Sequence, residues 1–139
     1  MKKLLLILIF LFIASPVYAA NRYWVGGTES WDATAGTKWA LTSGGAGGEA
    51  VPTSADDVYF DAASGAVSVT VAAASNCLSL NFTGFTGTFA GASALSIYGS
   101  LTMASGMTNN YTGAITFAAT SAKTITTNGK ALASAIIFN

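Results

Sequence analysis

The chain has 139 residues, with six Lys+Arg against six Asp+Glu, no histidine and one cysteine, and it is 52% hydrophobic but only 9% charged. Such a length supports one small domain. The missing histidine removes the commonest general base and metal ligand, a lone cysteine excludes an internal disulfide or a Cys-cluster metal centre, and neutrality argues against nucleic acid as a partner, because phosphates demand Lys and Arg.

Residues 1–19 read as a secretory signal peptide: Lys2 and Lys3 precede the apolar run Leu4 to Ala14, a Ser15-Pro16 break and Val17-Tyr18-Ala19. That run is too short to span a bilayer as a helix. Small residues at the third and first positions before the cut, Val17 and Ala19, place it between Ala19 and Ala20, so the membrane is met only in transit and the expected location is outside the cell or on its surface. Without the leader, Arg22, Lys38, Lys123 and Lys130 face Glu29, Asp32, Glu49, Asp56, Asp57 and Asp61, a net charge of −2. All the acids precede residue 62. Cys77 sits beside alternating Leu78, Leu80 and Phe82 and reads as a small buried hydrophobe rather than a reactive thiol.

Residues 20–61 form a distinct opening segment that holds every tryptophan, a glycine-rich loop at 43–48 and Pro52. From residue 62 onward, helix signals are absent and strand alternation recurs: Val67, Val69, Val71; Leu78, Leu80, Phe82; Thr88-Phe89; Leu95, Ile97; Leu101, Met103; Ile115, Phe117; Thr124-Ile125-Thr126; Ile136-Ile137-Phe138. Gly84, Gly87, Gly91, Gly99, Gly106, Asn109-Asn110, Gly113 and Asn128-Gly129 read as the turns between them. Taking Leu80, Ile97, Ile115 and Ile136 as equivalent gives spacings of 17, 18 and 21 residues, and a period near 20 suits a β-solenoid coil of two or three short strands, of which alternation marks two per period. The predicted fold is all-β: a parallel β-helix over 62–139, continuous with an aromatic-rich N-terminal cap at 20–61, with a β-sandwich as the alternative. Ending in mid-strand at Ile136-Ile137-Phe138-Asn139, the chain reads as a solenoid truncated at its C-terminus, with an adhesive edge open to self-association.

Arg22-Tyr23-Trp24-Val25-Gly26-Gly27, Ser30-Trp31-Asp32, Thr37-Lys38-Trp39 and the stretch Pro52 to Asp61, ending Asp56-Asp57-Val58-Tyr59-Phe60-Asp61, resemble the opening segment of autotransporter-associated β-strand and phage-fibre-like repetitive surface proteins. The resemblance implies a right-handed parallel β-helix displayed on a cell surface or tail fibre, and it carries no catalytic residues. This chain is far shorter than those proteins.

Two groups of residues invite a chemical reading. Asp56, Asp57 and Asp61 could hold a structural Ca²⁺ or act as an acid/base pair on a glycan; the structural account is that Asp56 caps a turn after Pro52 while Asp57 and Asp61 share an outer strand face with Tyr59, opposite Val58 and Phe60. Trp31 and Trp39 could stack on sugar faces, or with Trp24 could plug the open end of the first coil. The expectation is an exported, non-enzymatic structural or adhesive segment without a required cofactor, presenting Ser and Thr to surface glycans or to neighbouring chains. A carbohydrate-binding module is the alternative.

Overall fold

The computed structural model describes residues 19–132 and 135–139, so the expected leader lies outside the described residues except for Ala19. The first, irregular coil holds β1 (Asn21–Trp24), β2 (Ser30–Trp31) and β3 (Trp39–Ala40). Three regular coils follow, each with three strands. They are β4 (Asp57–Tyr59), β5 (Ser68–Val71) and β6 (Ser75–Cys77); β7 (Leu80–Asn81), β8 (Thr88–Gly91) and β9 (Leu95–Ile97); and β10 (Leu101–Thr102), β11 (Thr108–Tyr111) and β12 (Ile115–Phe117). The last coil contributes β13 (Ile125–Thr126) and β14 (Ile136–Phe138).

Like strands stack from coil to coil into three sheets, ordered β13-β10-β7-β4-β1-β3, β11-β8-β5-β2 and β14-β12-β9-β6. All of these pairings are parallel except β1 with β3. The fold is therefore a β-solenoid of about four turns. A β-sandwich is excluded, because its sheets are antiparallel and strand neighbours in sequence would pair. Backbone hydrogen bonds run along the stack: in the first sheet Val58 N–H donates to Ser79 O (2.8 Å), Leu80 N–H to Ser100 O (2.9 Å) and Leu101 N–H to Thr124 O (3.0 Å). The first sheet crosses the boundary at residue 61 without a break, since β4 pairs with β1 on one side and β7 on the other.

Register corrects the repeat. Leu80 stacks on Val58 and Leu101, at 22 and 21 residues, whereas Ile115 stacks on Leu95 and Ile136, at 20 and 21. Leu80 and Ile97 belong to different sheets, so the spacing of 17 measured across a corner rather than around a coil. The coil holds three strands, not two. Within the solenoid after residue 62, the strands missing from the sequence reading are Ser75–Cys77 and Thr108–Tyr111, the latter containing the Asn109-Asn110 pair expected to turn.

Inward side chains make one continuous core. Val58, Leu80 and Leu101 line the first sheet, Val69 and Phe89 the second, and Cys77, Ile97 and Phe117 the third. Where one coil presses on the next the residue must be glycine: Gly91 has φ 125°, and a Cβ there would collide with the Val71 carbonyl of the coil beneath. After β4 the chain turns through a 3-10 segment, Ala62–Ser64, which carries it from the first sheet toward β5. Among the described residues no helix is long and apolar enough to cross a membrane.

Candidate functional site

The residues singled out in the sequence cluster at the first coil. Trp24, Trp31 and Trp39 are each 0% exposed and surround Phe60, with Trp24–Trp39 and Trp31–Trp39 ring centroids 5.0 and 5.2 Å apart in edge-to-face geometry. Alternation turns Trp24 and Trp31 inward, and antiparallel pairing of β3 with β1 sets Trp39 opposite Trp24. The rings plug the interior. The sugar-stacking role read for Trp31 and Trp39 is thereby corrected, because neither ring offers a face to solvent. The Trp24 indole N–H donates to Gly27 O (2.9 Å), while the buried Trp31 and Trp39 indole nitrogens have no acceptor among the described residues.

The three aspartates do not converge on a common point. Asp56 is 3% exposed; its Oδ2 accepts from the Thr53 N–H (2.8 Å) and hydroxyl (2.7 Å), and its Oδ1 accepts from the Ala20 N–H (3.1 Å). Asp57 Oδ1 accepts from the Ser79 N–H of the next coil (3.0 Å). Asp61 caps the 3-10 segment, accepting from the N–H groups of Ala63 (2.9 Å) and Ser64 (3.2 Å). Each carboxylate is engaged with a different stretch of backbone, which is the turn-capping account in enlarged form. The Ca²⁺ reading of Asp56, Asp57 and Asp61 finds no support in this arrangement: among the described residues no cluster of three acidic, His or Cys side chains could hold a metal ion.

Among the described residues three ion pairs stiffen this coil, the longest between Arg22 Nε and Asp56 Oδ1 at 4.0 Å. Arg22 Nη1 meets Glu49 Oε2 at 3.2 Å, and Lys38 Nζ meets Asp32 Oδ1 at 2.9 Å. The Lys38 hydrogen bond and the Thr34 N–H hold the Asp32 carboxyl below its usual pKa. Cys77 is buried, and burial pushes its thiol pKa far up, so it is the inert packing residue expected. Tyr111, pushed up to about 12 by burial, donates its hydroxyl to Ser93 O.

Two further surfaces stand out, of which the sequence reading anticipated only the open last edge. Tyr23 and Tyr59, in register across β1 and β4, stack on the outer face with centroids 4.7 Å apart, and only register brings residues this distant in sequence together. At the opposite end, Phe117, Lys123, Ile125 and Phe138 line an open cleft of about 190 Å³. Phe138 stacks on Phe117 at 5.4 Å yet is 71% exposed, and Ile125 is 39% exposed. No family model, curated protein or solved structure matches the chain.

Proposed function

We propose that this chain is an exported structural and adhesive β-solenoid segment, of the kind a bacterial surface or a phage fibre displays. The supporting observation is the outer face of the regular coils. Ser68, Thr88 and Thr108 stack in one row of the second sheet, Asn76, Ser96 and Thr116 do so in the third, and no charged residue occurs from 62 to 122. Short hydroxyls and amides repeated at the strand spacing of about 4.8 Å form a regular array, and such an array suits many weak contacts with a glycan or a neighbouring chain. The reading is non-enzymatic, since the carboxylates that would have carried hydrolysis are committed to holding backbone in place.

Fractionation of cells producing the full chain tests export: the expected product lies outside the inner membrane, and a full-length cytoplasmic product overturns that part. A glycan array probed with the secreted chain tests adhesion. Weak, broad binding that disappears when Thr88→Lys and Thr108→Lys are introduced together supports the hydroxyl rows. Binding unchanged in that variant, or no glycan bound at all, removes them from the function.

One observation favours a second contact surface, the apolar last coil. Its exposed Phe138 and the free edges of β13 and β14 suit a further parallel coil supplied by a second copy of the chain. Sedimentation velocity of the secreted chain would show concentration-dependent association that Phe138→Lys weakens at least several-fold. A monomer at every concentration overturns it.

A further inference from the structure

The buried carboxylate of Asp56 has a task that neither turn capping nor the core requires. Its Oδ1 accepts from the backbone nitrogen of Ala20, 36 residues earlier, while the Asp57 N–H donates to Ala20 O at 3.0 Å. Ala20 is thus fixed on both sides immediately before β1 begins, and it is the residue that the Val17-Tyr18-Ala19 signal places first in the processed chain. We propose that Asp56 is the docking site for the mature N-terminus: cutting at Ala19–Ala20 turns a neutral amide donor into an ammonium that ion-pairs with it. Hydrolysis of that one amide bond consumes one water, leaves a carboxylate on Ala19 with the departing leader and leaves the protonated amine on Ala20.

The charges around the site favour the ammonium. Asp56, Asp57 and Glu49 supply three carboxylates, and Arg22 is the cation near them, with Nη1 on Glu49 at 3.2 Å and Nε 4.0 Å from Asp56 Oδ1. Arg22 Nε, buried without a hydrogen-bond partner among the described residues, makes only a long ion pair with Asp56 Oδ1, so a shorter cationic donor has room to act there. Of the other titratable groups, Tyr59 on β4 and the Cys77 thiol on β6 of the same coil both feel the charge of Asp57, and Tyr59 also feels Tyr23 on β1. A positive N-terminus brings the local charge nearer balance and places a cation at hydrogen-bond distance from a carboxylate shielded from water, where opposite charges interact most strongly. The same geometry makes the fold sensitive to where the leader is cut. One residue of error displaces the amine by about 3.3 Å along the strand, beyond the reach of Asp56.

The inference rests on the export reading above, and the two can fail separately. The secreted chain is first weighed intact to identify its first residue, and its α-amine is then titrated by the pH dependence of its labelling rate with acetic anhydride, folded and in denaturant. Pairing with Asp56 predicts an amine pKa about one pH unit above its ordinary value near 8 in the folded chain, returning to that value in denaturant. Asp56→Asn, checked for its β spectrum by circular dichroism, is expected to abolish the rise. The folded-versus-denatured comparison in the unmodified chain carries the test even if that variant does not fold. A first residue other than Ala20 overturns both the cleavage reading and the docking site. Ala20 in first place with an amine that titrates alike folded and unfolded overturns the docking site alone.

Discussion

At the first coil, Trp24, Trp31, Trp39 and Phe60 close the interior to 0% exposure, whereas the last coil leaves Ile125 at 39% and Phe138 at 71%. Both ends point apolar side chains inward from short strands. The difference is what lies beyond them. In the third sheet, residues at one inward position run Cys77, Ile97, Phe117 and Phe138, with exposures of 0, 0, 6 and 71%. A coil built to the repeat is buried only by its neighbours on both sides, so an end that stays within the repeat stays greasy. The first coil departs from the repeat, with large rings, an antiparallel strand and ion pairs, and so needs no coil beneath it. Covering a side chain such as Phe138 contributes about 1.5–3 kcal/mol, a sizeable share of what one stacked coil gains.

The largest expected effect tests the sealed end against the open one. Trp39→Ala should cost about 3–5 kcal/mol of unfolding free energy, whereas Phe138→Ala should change it by no more than about 0.5 kcal/mol. Urea unfolding of both variants measures the contrast, and equal losses would dissolve the distinction between the ends. A finer cut comes from Phe substitutions. Trp24→Phe forfeits the bond to Gly27 O and should cost about 1 kcal/mol more than Trp39→Phe, whose indole N–H has no acceptor among the described residues.

Gly91→Ala takes the regular coils as the reference between the two ends. The left-handed φ and the Val71 carbonyl beneath it predict a loss of about 1–3 kcal/mol, visible as a lowered urea midpoint. Gly27, with φ 69° and no atom near its would-be Cβ, bears only the backbone penalty, so Gly27→Ala should cost about 1 kcal/mol. Equal costs at the two positions would mean that coil-to-coil closeness is not what demands glycine at 91.

The fold class was legible because alternation is a local property: Val69 and Val71, Leu95 and Ile97, and Ile115 and Phe117 face inward as the pattern requires. The coil was harder to read, because stacking is decided by register between residues about 20 apart. Asn109 shows why. Its propensity is for turns, but in β11 it aligns with Phe89 and its amide donates to Ala131 O at 2.8 Å, so the loop of the last coil satisfies what would otherwise be an unpaired polar group. Asp56 was half legible in the same way. Its turn with Thr53 is a three-residue relation, visible in the sequence, whereas its bond to Ala20 exists only once β1 and β4 lie side by side. For Trp31 and Trp39 the residue type allowed either a plug or a platform, and only the position of the antiparallel β3 decides for the plug.

The smallest effect separates the ends by charge. Among the described residues the ion pairs lie within the first 56 residues, and Lys38 with Asp32 is the shortest of them. The Asp32 carboxyl titrates below the usual aspartate value because the Lys38 ammonium, and then the Thr34 N–H, bond to its ionised form. A carboxyl whose folded pKa is depressed stabilises the fold above its unfolded pKa, and that contribution disappears as pH falls through the folded value. Thermal midpoints of the unmodified chain and Lys38→Met should therefore differ most near neutrality and converge below about pH 4. Lys123 and Lys130, near the open end, form none of these pairs, so Lys123→Met should leave the profile unchanged. Acid should loosen the sealed end first, and hydrogen exchange at low pH should show amides of β1 and β3 losing protection before those of β8 and β11. Loss beginning at β8 instead would mean that the aromatic plug alone, without its surrounding charges, holds the first coil shut.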